Sequence, residues 1–299
     1  MAITAPTQSS DFAGFLKPEQ AEAYFDQTRK VSAAQRLGRQ IPLGINGQEI
    51  PVVTSKATAG WVSEGGQKPT TKGGLGLKSI KPQKIAAIAV VSAEVVRANP
   101  GNYINLLRDD VAEAFAVAFD AAVFHGTNSP FGAGQNFAAA TKAVELGTAA
   151  AASGGVYADI NAGLALLAND GKKLTGFAFD TVTEPVFNAA VDANGRPLFV
   201  EPTYEEGALR AGRLLGRPAY LGDGVKGGTV VGFGGDWSQF VWGVVGGITY
   251  DVSTQATVTI DGELVSLWEH NLVAIRAEAE FGALINDTSA FVKYTNATV

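Results

Sequence analysis

The sequence predicts an α+β protein with one long helix, a mixed central region and strands that return near the end of the chain. Residues 101–126 place apolar side chains at helical spacing on one continuous face, with Asp120 among the polar residues off that face. From Arg196 onward, short β-like runs are separated by glycine or aspartate. Residues 273–281 alternate apolar with charged side chains, which is typical of a long strand with one solvated side.

The other elements follow from local patterns. Residues 18–38 predict a short amphipathic helix, and residues 156–169 predict a second helix. Pro185 suits the first turn of a further short helix, and the Asn-Gly pair at 194–195 suits its left-handed exit. The run "AFVKYT" at residues 290–295 is predicted as the neighbour of the long strand before it.

Composition narrows the class of protein. The chain has 299 residues, of which 46% are apolar, enough for one large domain or two ordinary ones. Its net charge of -6 argues against a dedicated nucleic-acid binder, which would carry a basic domain. The absence of cysteine excludes a disulfide scaffold, a thiolate metal site and a cysteine nucleophile. We read no signal peptide and no membrane span, so we expect no membrane partner.

A polar segment lies between two strand-like runs. Residues 60–84, "GWVSEGGQKPTTKGGLGLKSIKPQK", contain six glycines and five lysines but a single acid. The segment is too polar to build a core and too long for a turn. Because a hairpin without a core is marginal in water, such an arm is stable only if another surface buries it.

A search for catalytic chemistry finds none. His125 and His270 have no second ligand at metal spacing, and His125 suits a helix C-terminus, where a cation is favourable. "GDGVKG" at residues 222–227 matches the dinucleotide pattern, but the following residues are β-like where a helix is required. We therefore predict no catalytic, cofactor or metal residues and no enzyme, with a nucleotide-dependent enzyme as one alternative.

Six motifs in order carry a resemblance across residues 15–296. They are "GWVSEGG", "VVSAEVVR", "FDAAVFHGTNSPFG", "LLGRPAYLGD", "GDWSQFVWGVVGGITYDVS" and "NLVAIRAEAEFGALINDTSAFVKYT". This order resembles tailed-bacteriophage major capsid proteins with the Hong Kong 97 phage-type capsid fold. The resemblance implies four parts: an N-terminal arm with a short helix (1–55), an extended β-hairpin loop (56–91), a peripheral domain with a long spine helix (92–149 and 274–299), and an axial domain (150–273).

The same resemblance implies a function. The chain would self-assemble into hexamers and pentamers of an icosahedral phage head, in the host bacterial cytoplasm, and end in the virion. Double-stranded DNA would lie against the inner face without sequence specificity, and portal, scaffolding and decoration proteins would be partners. Because only about fifty residues precede the arm, we expect scaffolding from a separate protein. An encapsulin-type nanocompartment shell shares the fold and is the alternative.

The resemblance places the extended loop across a neighbouring subunit. The residues predicted to make this contact are Trp61, Glu64, Lys68, Lys72 and Lys78. Trp61 is expected to anchor the base of the arm, and Lys68 and Lys72 to meet acidic patches on adjacent subunits. Some members of the family link a lysine of the arm to an asparagine covalently. Here Asn286 and Asn296 are available by residue type alone, and we do not predict such a link.

Overall fold

The structure is a computed structural model that describes residues 32–98, 103–150, 153–190 and 210–296. The helices in these ranges are α1 (Ala33–Leu37), α2 (Ala93–Ala98), α3 (Tyr103–His125), α4 (Gly155–Asn169) and α5 (Glu184–Ala189). The strands are β1 (Arg39–Gln40), β2 (Gln48–Ser55), β3 (Gly74–Ile80), β4 (Gln83–Ser92), β5 (Lys142–Glu145), β6 (Gly176–Phe179), β7 (Arg210–Leu214), β8 (Arg217–Leu221), β9 (Val230–Gly235), β10 (Phe240–Ser253), β11 (Thr257–Ile260), β12 (Glu263–Ser266), β13 (Leu272–Ile285) and β14 (Phe291–Thr295).

Two large sheets and two hairpins organise these strands. One sheet has four strands in the order β1-β10-β13-β4, and the other has six in the order β5-β14-β9-β6-β8-β7. The pairs β2-β3 and β11-β12 form separate two-stranded sheets. The α+β prediction is confirmed. None of the helices in the described ranges combines the length and hydropathy that spanning a bilayer requires.

The long helix α3 joins the two sheets through its apolar face. Near its middle, Phe115 packs with Ala277 and Ala279 of β13 in the four-stranded sheet. Toward its end, Phe124 lies in an aromatic cluster with Phe233 of β9 in the six-stranded sheet. The predicted helix over residues 101–126 is confirmed as α3, whose apolar side chains from Phe115 to Phe124 pack on both sheets.

A second core lies under α4, on the six-stranded sheet. Ile160 and Leu167 of α4 pack there with Phe179 and Tyr294. Gly163 is required at this contact, because a Cβ added to it would lie 2.2 Å from the Tyr294 hydroxyl oxygen. The predicted helix over 156–169 is confirmed within one residue.

The helical pattern placed Asp120 on the polar side of α3, and the structure shows that this prediction is wrong. Its side chain is only 3% exposed. The carboxylate accepts hydrogen bonds from the Ser32 hydroxyl at 2.5 Å and the Ala33 amide at 2.9 Å, and so caps α1. Burial raises the pKa of Asp120 to about 6, against the opposing effect of these bonds. The buried carboxylate ties the first described residues to the long helix.

The end of the chain departs from the prediction. β14 does not pair with β13; it pairs with β5 and β9 in the six-stranded sheet. A 3₁₀ turn capped by the Asp287 side chain separates β13 from β14 and redirects the chain. The described part of residues 274–299, which were predicted as one part of a peripheral domain, thus contributes to both large sheets. Of the helix predicted at residues 18–38, residues 32–38 with α1 are described and residues 18–31 lie outside the described residues, as does the turn at 194–195.

Candidate assembly arm

The hairpin β2-β3 projects from the body of the chain, and we call residues 48–80 the arm. Its strands pair antiparallel from Gln48↔Ile80 to Ser55↔Gly74, and residues 56–73 join them at the tip. β4 is not part of the arm, because it pairs with β13 along its whole length. The extended loop predicted at residues 56–91 therefore differs from the hairpin at both ends. Since extended strands rise about 3.3 Å per residue, the tip lies roughly 25 Å from the root.

The root of the arm is fixed to its own chain. Ile80 is 1% exposed and packs with Leu43 and Leu284. Gly47 approaches the Ile80 carbonyl so closely, at a φ of 81°, that a Cβ there would lie 2.4 Å from that oxygen. Lys78, predicted to contact a neighbour, donates from Nζ to the Asn286 backbone carbonyl of its own chain.

The tip carries the other four predicted contact residues. Every residue from 53 to 73 is exposed, including Trp61, Glu64, Lys68 and Lys72. Trp61 is 105% exposed. The expectation that it anchors the base is wrong, because it lies in the loop at the far end of both strands. Contact of these residues with a neighbour stays a prediction.

One face of the arm is apolar, which the sequence analysis missed. Directly opposed residues of a hairpin share a face, and the register pairs Pro51 with Leu77 and Val53 with Leu75. Val53, Leu75 and Leu77 are 66%, 78% and 67% exposed. We call these four residues the arm stripe. The alternation of glycine with leucine at 74–77 is the pattern that would have revealed it, since it puts both leucines on one face.

The solvated face of the four-stranded sheet carries both signs of charge. By register it holds Asp251, Glu278 and Glu280 together with Arg39, Lys84 and Arg276, three acids and three bases. Arg276 lies 2.7 Å from Asp251, and Lys84 lies 3.3 Å from Glu278. These exposed pairs contribute little stability. The tip residues 56–73 have three lysines against one glutamate, so the tip is net positive whereas the sheet face is balanced.

The nucleotide motif has no place for a phosphate. Residues 222–227 follow β8, and the chain continues into β9 without a helix. The Asp180 carboxylate accepts from the backbone amides of Gly224, at 3.3 Å, and Lys226, at 2.9 Å. Because an anion of the protein itself already uses these amides, the alternative of a nucleotide-dependent enzyme is wrong on structural grounds.

His125 acts as a packing group. Its Nε2 donates to the Val225 carbonyl at 2.9 Å, and its ring fills the space above Gly227. Burial lowers the pKa of His125, which favours the neutral imidazole over the cation expected at the helix end. Within the described residues, no cluster of three or more His, Asp or Glu side chains is placed to hold a metal ion.

The body has two sheets joined by a long helix, and a hairpin without a core of its own extends from it. The phage capsid family model matches residues 13–296, so the chain belongs to the phage capsid family. It is 48% identical to "Probable major capsid protein gp17" of Mycobacterium phage D29, over 99% of this chain and 94% of that protein. It is 49% identical to the protein of the same name in Mycobacterium phage L5, over 98% and 92%.

Solved structures agree on the fold. A chain from Mycobacterium phage Adephagia superposes with a TM-score of 0.77 at 18% identity, covering 99% of both chains. The protein is a structural capsid protein and not an enzyme. Capsid proteins of this kind self-assemble into shells, and the Hong Kong 97-type prediction of fold and class is confirmed.

Proposed function

We propose that the chain is the major head protein of a tailed phage, and that its copies form the hexamers and pentamers of an icosahedral shell. The observation that carries this proposal is the arm, whose tip is exposed over residues 53–73 while its root is buried in the body. A hairpin of this kind gains stability when a neighbouring copy covers it. Closed symmetry repeats that contact in every subunit.

The two large sheets support an assignment of the chain to two domains with different roles in the shell. We assign the four-stranded sheet with α3 to the peripheral domain, and the six-stranded sheet with α4 and α5 to the axial domain. The axial part would meet its copies around the axis of each capsomer. Strands β5 and β14 join this sheet although they lie outside the predicted axial residues 150–273.

The partners follow from the same role. The shell encloses double-stranded DNA, and a net charge of -6 suits an inner wall that must not adhere to the packaged genome. Portal, scaffolding and decoration proteins are expected partners on the resemblance alone, and assembly is expected in the host cytoplasm. Both relatives named above come from phages, which favours a phage head over an encapsulin-type compartment.

Negative-stain electron microscopy of the purified chain tests this function. We expect closed shells, or hexamers and pentamers, to form as protein concentration rises. A chain that stays monomeric at high concentration would contradict the proposal. Uniform shells that carry a cargo peptide inside and have no portal vertex would instead support the nanocompartment.

A further inference from the structure

A groove with an aromatic wall lies between α3 and the first residues of β4. Its volume is about 350 Å³. Phe119, Phe131 and Phe281 form the wall, and the last two have ring centroids 5.9 Å and 5.4 Å from that of Phe119. Gln83 and Asn128 add polar groups to the lining. A concave apolar site with a few polar groups is a typical binding pocket.

An exposed apolar face of α3 leads to this groove. Ala114, Val117 and Ala118 are exposed, and Val117 is 37% exposed. Ala121 lies on the same side and is half-buried, and we call these four residues the outer face of α3. Ala118 and Ala121 also line the groove, so face and groove are continuous. Because the outer side of a surface helix is normally polar, this face is of the kind that another segment covers.

The described chain begins beside the same helix. Ser32 is 1% exposed and donates from its hydroxyl to Asp120 of α3 at 2.5 Å. Asp120 and Ala118 are two residues apart, which places them about 200° apart around the helix axis. Since the four-stranded sheet covers another side of α3, a chain that runs from Ser32 to the groove crosses the outer face. That distance is about 10 Å, the diameter of a helix.

The segment before Ser32 has side chains that suit this path. Residues 1–31 lie outside the described residues, and Phe25 is the aromatic residue nearest to Ser32 in that part of the sequence. Seven residues span about 10 Å as a helix and about 23 Å as an extended chain, so Phe25 can reach the groove. Ala21, Tyr24 and Thr28 share its side of the predicted helix. Its ring needs no hydrogen-bond partner and can pack edge-to-face with the aromatic wall.

We propose that the groove holds the Phe25 side chain of the same chain, with residues 26–31 crossing the outer face of α3. This inference goes beyond the proposed shell function, because it concerns a contact within one subunit. Gln83 comes three residues after the last residue of β3, so the groove lies at the arm root. The docked segment would therefore hold the start of β4, and with it the arm root, against α3.

An engineered disulfide tests the contact directly, because the chain has no cysteine of its own. One chain carries both Phe25→Cys and Thr127→Cys, the latter at an exposed position of the groove lining. At a subunit concentration where the chain is monomeric, we expect oxidation to link residues 25 and 127 within one chain, as found by peptide mapping. In the control, Ala165→Cys on the exposed side of α4 replaces Thr127→Cys, and no link to Phe25→Cys is expected.

Hydrogen exchange gives a second measurement that needs no cross-link. We expect Phe25→Ala to speed exchange of the backbone amides of residues 83–85 about tenfold, the factor that burial of one phenylalanine can contribute. Phe15→Ala, the same substitution earlier in the segment, is the matched control and should leave this exchange unchanged.

Two results would overturn the proposal. If single-cysteine copies carrying Phe25→Cys and Thr127→Cys give a covalent dimer when mixed, the segment of a second copy occupies the groove. If no 25–127 link forms and exchange is the same in Phe25→Ala and the unmodified chain, this segment does not enter the groove. Either result leaves the shell function intact, since that function depends on whether the unmodified chain forms capsomers.

Discussion

The body and the arm of this protein are stabilised in opposite ways. In the body, Phe137, Phe233 and Phe291 are each 0% exposed, and their rings pack against one another and their neighbours. In the arm, residues 53–73 are all exposed, and the arm stripe lies open to solvent. The body therefore folds on contacts within the chain, while the arm has contacts to gain only from another chain.

This difference predicts that folding and assembly depend on separate residues. A change in the body should alter the free energy of unfolding, and assembly should fail as a consequence. A change at the arm tip should leave unfolding unaltered and alter assembly directly. The expected effects on unfolding run from several kcal/mol in the aromatic cluster to near zero at the tip.

The largest effect is expected in the aromatic cluster. Phe137 is fully buried, with ring centroids 4.9 Å from Trp237 and 4.7 Å from Phe291. Phe137→Ala should lower the free energy of unfolding by about 3–5 kcal/mol, because it removes apolar contacts and leaves a cavity. Denaturant unfolding followed by tryptophan fluorescence measures this loss. Equal denaturation midpoints for Phe137→Ala and the arm variant Leu75→Ala would contradict the comparison.

The next effect is a pH dependence that arises at Asp120. Its pKa is raised from 3.8 to about 6 by burial in the folded state. Between about pH 4 and pH 6 the folded state therefore binds more protons than the unfolded state. Protonation of Asp120 thus contributes about 3 kcal/mol to the free energy of unfolding. This contribution is fully present below pH 4 and is lost as the pH rises through 6.

Asp120→Asn isolates this contribution, because asparagine cannot ionise. We expect the stability of the unmodified chain, relative to that of the variant, to fall between pH 4 and pH 6 and then stay level. Taking the difference cancels the other carboxylates, such as Asp287, whose lowered pKa acts in the opposite direction. A difference that is constant over this range would show that Asp120 does not titrate there.

Local pattern predicted the elements of this fold well and their partners less well. The helix α3 and the strand β13 were recognisable because an apolar face runs through each without interruption. The partner of β14 was not recognisable, because it involves close packing between distant segments: a Cβ on Gly235 of β9 would lie 2.4 Å from a ring carbon of Phe291. Such a close fit between distant residues leaves no trace in either segment alone.

The arm also shows that contacts between separate segments are hard to predict from sequence. Its existence, and the position of Lys68 and Lys72 in an exposed segment, could be predicted from composition, whereas Trp61 was wrongly expected at its base. The arm stripe could not be predicted from composition, which contains neither the order of glycine and leucine at 74–77 nor the register between β2 and β3. The burial of Asp120 was missed for a related reason, since its partner Ser32 is distant in sequence.

A smaller effect on unfolding is expected at Gly163. Alanine normally favours a helix over glycine by about 1 kcal/mol. Here the added Cβ would lie 2.2 Å from the Tyr294 hydroxyl, which also donates to the Ile160 carbonyl at 3.2 Å. Gly163→Ala should therefore destabilise the body by about 1–3 kcal/mol through overpacking. The thermal midpoint measures this, and a raised midpoint would mean that helix propensity outweighs the clash.

Substitutions in the arm stripe should affect assembly and leave folding nearly unchanged. Leu75→Ser combined with Leu77→Ser should change the free energy of unfolding by about 0.5 kcal/mol or less, because both side chains are exposed in the single chain. Assembly should fail at every salt concentration, because the apolar surface offered to a neighbour is lost. Glu49→Gln with Ser79→Ala, on the same face at the root, is the matched control. Normal shells from the leucine variant, seen by light scattering, would show that the stripe stays uncovered.

The smallest effect on unfolding is expected for Lys68→Glu combined with Lys72→Glu, since both lysines lie in the exposed tip. Reversing their charge should weaken assembly at low salt, because these lysines are predicted to meet acidic patches on an adjacent subunit, which the reversed tip would repel. Near 1 M salt the screening length falls to about 3 Å, and the variant should assemble like the unmodified chain.

Light scattering over a series of salt concentrations measures this dependence, with Lys173→Glu plus Arg213→Glu as a charge-matched control on the exposed body surface. An unchanged salt dependence would remove the lysines from the contact. The contrast with the leucine variant is informative in itself, because charge steers a contact that salt can screen, whereas apolar burial holds it at any ionic strength. Together the two variants separate the contribution of charge to the association of the arm with its neighbour from the contribution of apolar burial to the stability of that contact.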